Sequence, residues 1–144
     1  MNEKEKNGLQ IAVEKGIVSY DLNASLPDIE TAEEANIDLM DDYWSPCEIG
    51  ESKRVFFQKI DTRRVIDQQT GEIIDLECAF FMEKNPKTGT YRTISNGSKR
   101  LVGAIEANGI KAGMPFLITY TGKKKASNGN LCDNWSMKPL ILSK

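Results

Sequence analysis

Hydrophobic and polar positions alternate most clearly between residues 73 and 84. Ile74, Leu76, Cys78, Phe80 and Met82 fall on one side of an extended chain, and Asp75, Glu77, Ala79, Phe81 and Glu83 on the other. A period of two predicts a strand that lays its apolar side on a core. The preceding run, Lys53 to Ile66, is rich in β-branched and aromatic residues, and Asp67-Gln-Gln-Thr-Gly71 between the two is a turn, so a hairpin is expected. Asn85-Pro-Lys-Thr-Gly89 is a second turn, and Thr90 to Ser95 a third strand. The period then changes. After Asn96-Gly-Ser98 the residues Leu101, Val102 and Ile105 form a helical stripe, which Asn108-Gly109 ends. Pro115 to Thr121 places Phe116, Ile118 and Tyr120 on one side, a turn runs from Gly122 to Asn130, and Leu131 to Leu142 closes the succession. The expected order is three strands, one helix and two strands.

Residues 1–43 follow no such pattern. Leu9 to Val18 is a short apolar stretch, either a strand or a segment that docks on the body, and Asn23 to Pro27 reads as loop. Thr31-Ala-Glu-Glu34 fits a capping box, in which hydroxyl and carboxylate satisfy free N–H groups at a helix start. A short acidic helix from Ala32 to Asp42 is therefore expected, with Ile37, Met40 and Trp44 on one face. The organisation changes near Trp44, which divides an acidic N-terminal arm (1–43) from a folded domain (44–144).

Charge sharpens that division. The 144 residues hold 19 Lys+Arg, 21 Asp+Glu and no histidine, a net charge of −2. Residues 1–52 carry 13 acidic and 3 basic side chains, a net −10, whereas residues 53–144 carry 16 basic and 8 acidic, a net +8. An acidic arm ahead of a basic body points to a polyanion-binding domain with a regulatory or protein-contacting segment. The length suits one domain that buries about 68–70% of the surface of its unfolded chain. Without histidine, His-based triads, His general bases and most catalytic metal sites are excluded. Cys47, Cys78 and Cys132 form no CxxC pair, which predicts reduced thiols, with Cys78 in a core strand, and no zinc site. No catalytic residue, metal or cofactor is expected. No apolar run approaches the roughly 18 residues of a membrane span, and Met1 to Lys6 lacks the layout of a secretory signal, so a cytoplasmic protein without a membrane partner is expected.

The succession of elements is that of the OB-fold, a five-stranded barrel whose middle strands and loops bind oligonucleotides. Two segments carry a closer likeness: Ile118-Thr-Tyr-Thr-Gly-Lys-Lys-Lys125 followed by Asn134-Trp-Ser-Met137, and the approach Trp44-Ser-Pro-Cys-Glu-Ile-Gly50. From Trp44 to Leu142 the chain resembles the small OB-fold single-stranded DNA-binding-like proteins of phages and mobile elements. The resemblance implies an all-β domain with one helix, a five-stranded barrel in the order β-β-β-α-β-β. It also implies non-catalytic, largely sequence-independent binding of single-stranded DNA in replication, recombination or repair. Two departures stand out. Bacterial single-stranded DNA-binding proteins carry an acidic C-terminal tip that recruits partners, whereas Ile141-Leu-Ser-Lys144 is not acidic, and the acidic arm is unusually long.

Single-strand binding needs cations for phosphates and aromatic faces for bases. Arg54 and Phe56 share a strand face with Gln58, opposite Val55, Phe57 and Lys59, and Arg63 and Arg64 lie further along, one on each face. Phe81 points away from the regular apolar face of the next strand, among polar neighbours, as an exposed stacking candidate. Lys84 and Lys87 flank a turn, Tyr91 and Arg92 begin the third strand, and Lys123, Lys124 and Lys125 open the loop between the last two strands. Phe56, Tyr91 and the lysine run have plainer alternatives: a bend or bulge that turns Phe56 or Tyr91 inward, or a run at Lys123 to Lys125 that only keeps an edge solvated. Trp135 is assigned to the core.

The arm has two readings: Glu30 to Asp42 lying in the basic groove as a nucleic-acid mimic, or a solvated arm that aids solubility or binds a partner. Two other functions compete with DNA binding. One is an OB-type protein-interaction module that recruits a partner through the arm. The other is a nuclease using Asp41-Asp42 and a metal, disfavoured because adjacent aspartates point apart and chelate poorly. A homo-oligomer is compatible with either.

Overall fold

The computed structural model describes residues 18–143, so the apolar stretch Leu9 to Val18 lies, but for Val18, outside the described residues. Two turns of one design set up the centre of the molecule. In each, an Asx residue (Asp67, Asn85) accepts a backbone N–H two residues on, at 2.8 and 2.9 Å, and its own carbonyl accepts the N–H of a glycine four residues on, both at 2.8 Å. Those glycines, Gly71 and Gly89, have φ of +74° and +73°, the left-handed region that side chains with a Cβ disfavour. The turns join β2 (Ser52–Ile66), β3 (Ile73–Lys84) and β4 (Tyr91–Asn96) into an antiparallel meander. Helix α1 (Lys99–Ala107) follows, then β5 (Pro115–Lys125) and β6 (Leu131–Pro139), which pair as a second hairpin; β5 lies against β2.

The acidic arm departs from expectation. Its last seven residues form not a helix but strand β1 (Ile37–Tyr43), parallel to β4. The capping box at Thr31 starts no helix; Ala32 N–H instead donates to Ile29 O at 3.2 Å within a turn. Asn36, Asp38, Asp41 and Asp42 are weak helix formers, and pairing with the free edge of β4 sets Asp41 and Asp42 beside Arg63 and Arg92.

The six strands make one open sheet in the order β1-β4-β3-β2-β5-β6. The expected closed five-stranded barrel is not formed. β1 takes the second edge of β4, so β4 and β6 do not pair and the sheet ends in two edge strands, β1 and β6. The mostly β architecture with one short helix, in the order three strands, helix, two strands, stands as expected, with β1 added in front.

One side of the sheet, the helix side, holds the core. Leu101, Val102 and Ile105 of α1 pack on Val55, Phe57, Ala79, Phe81, Ile94, Phe116 and Ile118, with Trp44 at one end and Trp135 and Met137 partly buried beside it. Burial of each large apolar side chain contributes roughly 1.5–3 kcal/mol. The faces of β3 are therefore the reverse of those expected: Ala79 and Phe81 turn to the helix, and Phe81 is 0% exposed. Cys78 and Phe80, on the other side, are buried as well: the chain past β4 crosses Cys78, and Lys59 stands over the Phe80 ring. A Cβ on Gly97 would come within 2.5 Å of Leu76 Cδ2 and 3.2 Å of Cys78 Sγ. Burial raises the Cys78 thiol above its ordinary value.

A bulge between Phe57 and Lys59 re-aims β2. Phe57 lies opposite Phe81 and Lys59 opposite Phe80, leaving Gln58 as the extra residue. Cross-strand partners share a face, so Lys59 joins Phe56 on the outer side instead of Phe57, and Ile60 returns to the core.

Trp44 fastens the arm to the body. Its N–H donates to Ser95 O at 2.8 Å, its carbonyl accepts Asn96 Nδ2 at 2.9 Å, and its indole Nε1 donates to Glu51 Oε2 at 2.6 Å. The indole hydrogen bond, with the Cys47 backbone N–H, holds the Glu51 carboxyl below the usual carboxylate value. A carboxyl depressed in the folded state stabilises it above the ordinary pKa and loses that contribution as the pH falls through the folded value. Glu51→Gln is expected to lower the thermal midpoint at about pH 7, with the gap to wild type closing towards about pH 3. A gap constant over that range would show that the charge of Glu51 plays no part.

Candidate nucleic-acid interface

The outer side of β2, β3, β4 and β1 gathers aromatic rings and cations that the sequence scatters over fifty residues. Register places Arg54, Phe56, Lys59 and Arg63 of β2, Phe80, Met82 and Lys84 of β3, Tyr91 and Ser95 of β4, and Tyr43 of β1 on this face. Three cation–ring pairs recur on it. Lys59 Nζ is 5.2 Å from the Phe80 ring centroid, Lys84 Nζ 5.7 Å from that of Tyr91, and the Arg63 guanidinium 5.9 Å from that of Tyr43. Each is worth roughly 0.5–1 kcal/mol at an exposed site and fixes a positive charge beside a π face. Phe80, with the Lys59 ammonium over its ring, is only 7% exposed.

Arg63 is the most firmly positioned of these cations. It reaches across β3 to donate to Ser95 Oγ at 2.7 Å, and Asp41 Oδ2 stands 3.9 Å from its Nη1. Lys59 pairs with Asp61 at 3.3 Å, and the Thr62 backbone N–H holds the Asp61 carboxyl below its ordinary value. Arg54 is exposed beside Leu117 and has no ion pair among the described residues. Phe56 and Tyr91 are half-buried on this face, so neither is turned into the core.

The other sequence candidates lie elsewhere. Phe81 is not an exposed stacking face: it sits in the core against Phe57, with ring centroids 6.0 Å apart. Arg92 turns to the helix side, where Glu83 holds it at 3.0 Å and Asp42 at 3.5 Å, and Glu83 also binds Lys53 at 2.8 Å. Arg64 pairs with Asp75 at 3.6 Å towards the tip of the β2–β3 hairpin. Lys87 is exposed in the β3–β4 turn, near Lys84. Lys123, Lys124 and Lys125 do not open a loop; they end β5, paired with Asp133, Cys132 and Leu131, and the loop is 126–130. Lys123 is 2.7 Å from Asp133, whose carboxylate raises the ammonium pKa. Burial, with the same carboxylate as hydrogen-bond acceptor, raises the Tyr120 hydroxyl.

Tyr43 is the ring that sequence reasoning missed. It lay hidden beside the expected helix, although an aromatic at the end of an extended acidic run would have marked it.

Among the described residues no group of three or more His, Cys, Asp or Glu is gathered that could hold a metal ion. Asp41 and Asp42 face different arginines, as neighbours on a strand do. No helix among the described residues is long and apolar enough to cross a membrane. No family model matches the chain, and neither curated proteins nor solved structures give a match.

Proposed function

We propose that the chain binds single-stranded DNA without catalysis and with little sequence preference, in replication, recombination or repair in the cytoplasm. The strand would run over the outer face of β2, β3 and β4. Arg54, Lys59, Arg63 and Lys84 meet phosphates there, and Phe56 and Tyr91 offer ring faces to bases. The observation that supports this most is the threefold repeat of a cation beside an aromatic ring on one sheet face. Binding of this kind combines counterion release with stacking, which call for cations and ring faces on one surface. The order of three strands, helix and two strands is also that of OB-type domains, whose corresponding strands carry the oligonucleotide.

Titration with oligo-dT tests the proposal. Neutralising about four phosphates gives a salt slope near −3, so affinity should fall roughly 50-fold between about 50 and 200 mM salt. No binding at about 50 mM salt, or binding indifferent to salt, would sink it.

One observation favours a second reading, a protein-interaction module. β1 is an edge strand that presents Asp38, Leu39, Met40 and Asp41 to solvent, a row to which a partner strand can add. A partner held by β1 with no oligonucleotide binding would favour it.

A further inference from the structure

β1 is held on the sheet by very little. Its residues are exposed except for half-buried Ile37, with Leu39 58%, Met40 78% and Tyr43 39% exposed. It pairs in parallel with β4, and the register breaks between Asp38 and Asp42. Parallel pairing over so short a length, with no apolar side chain fully buried, is weak. What β1 brings to the sheet is charge. Asp41 stands 3.9 Å from Arg63 on the outer face and Asp42 3.5 Å from Arg92 on the helix side, while the Tyr43 ring covers the Arg63 guanidinium. The Tyr43 hydroxyl also accepts the Gly97 N–H at 2.9 Å, tying the strand end over the outer face. Directly behind it Trp44 is buried and bonded to Ser95 and Asn96. Residues 37–43 can therefore leave β4 by pivoting at Trp44 without opening the core.

We infer that β1 is a built-in competitor for the outer face: its Asp41 and Tyr43 occupy the cation that a phosphodiester backbone would take, and single-stranded DNA lifts β1 from β4 as it binds. The inference rests on the DNA-binding reading above. An aspartate carboxylate and a phosphate are both anionic oxygen acceptors for a guanidinium, so Arg63 exchanges one for the other. A tyrosine ring and a nucleobase exchange likewise on the flat face of Arg63. Exposed ion pairs are weak enough for such an exchange and are weakened further by salt.

The test compares the wild-type chain with D41N/D42N, which keeps shape and removes both negative charges. Binding of a labelled oligo-dT of about 20 nucleotides is followed by anisotropy, and circular dichroism checks that the fold is kept. D41N/D42N should bind about 2- to 10-fold more tightly at about 50 mM salt, with the gain shrinking at about 200 mM. In hydrogen exchange of the wild-type chain, amides of residues 37–43 should exchange faster with oligonucleotide bound, while those of β2 and β3 slow. Binding by both proteins with equal affinity, weaker binding by D41N/D42N, or protection of residues 37–43 by the oligonucleotide overturns the competitor alone. No binding by either protein overturns the DNA-binding reading, and the competitor with it.

Discussion

Phe81→Ala should lower the stability of the fold by about 3–5 kcal/mol. Phe81 is fully buried on the helix side of β3, in edge contact with Phe57 and in the same cluster as Ile94 and Leu101. Its truncation removes a ring from between sheet and helix, and neighbours fixed by strand register cannot collapse into the space. A domain of this size holds only about 5–15 kcal/mol in total, so the loss is a large part of its stability. Phe81→Leu keeps most of the volume and should cost less than about 1.5 kcal/mol. Urea unfolding of the three proteins measures this, with a shift of midpoint at constant slope. A Phe81→Ala protein with unchanged midpoint and weakened oligonucleotide affinity would return Phe81 to the surface as a stacking residue and overturn its place in the core.

The order of elements was legible in the sequence because it depends on local signals. The Asx-to-glycine turns at Asp67 and Asn85, the stripe Leu101, Val102 and Ile105, and the stop at Asn108-Gly109 are each written within five residues, and each holds. What was not legible depends on partners remote in the chain. Alternation in β3 separates two faces but does not say which one the helix covers; four successive residues, Cys78 to Phe81, are buried because Ala79 and Phe81 join the core with α1 while Gly97 crosses Cys78 and Lys59 stands over Phe80. Gln58 gives no local sign of a bulge, yet it decides on which side Lys59 stands. Residues 32–42 carry a helix signal that fails because β4 has an edge to offer, a fact set by the hairpin order some fifty residues later.

The same dependence limits what could be read of the site. Arg54, Phe56, Lys84 and Tyr91 stand on the outer face as residue types suited to a strand surface, but nothing in their spacing says that register brings them together. Arg92 looks as suitable as Arg63 in sequence. One residue of register turns it to the helix side, where Glu83 neutralises it. The charge split after Ser52 survives in a more specific form: acids of the arm meet named arginines of the body.

Replacing rings by leucine on the outer face should weaken DNA binding without changing its salt dependence. Phe56 and Tyr91 are half-buried, with Tyr91 beneath Lys84 at 5.7 Å, so leucine preserves most of their packing and the fold should lose less than about 1.5 kcal/mol at each position. A base stacked on a protein ring contributes roughly 1–3 kcal/mol, so each of Phe56→Leu and Tyr91→Leu should raise the Kd for oligo-dT roughly 5- to 150-fold, and the two together by more than either. The slope of affinity against salt should stay as in wild type, because no cation has been removed. Lys59→Gln and Arg63→Gln should do the opposite, with a slope smaller by about 0.7 for each phosphate left without its cation and a modest drop in affinity at high salt. These two signatures separate stacking from counterion release, and a surface that attracts DNA by charge alone would show only the second. If Phe56→Leu/Tyr91→Leu binds oligo-dT as wild type does, the rings of this face do not stack bases, and the three cation–ring pairs serve only to hold the lysines and Arg63 flat on the sheet.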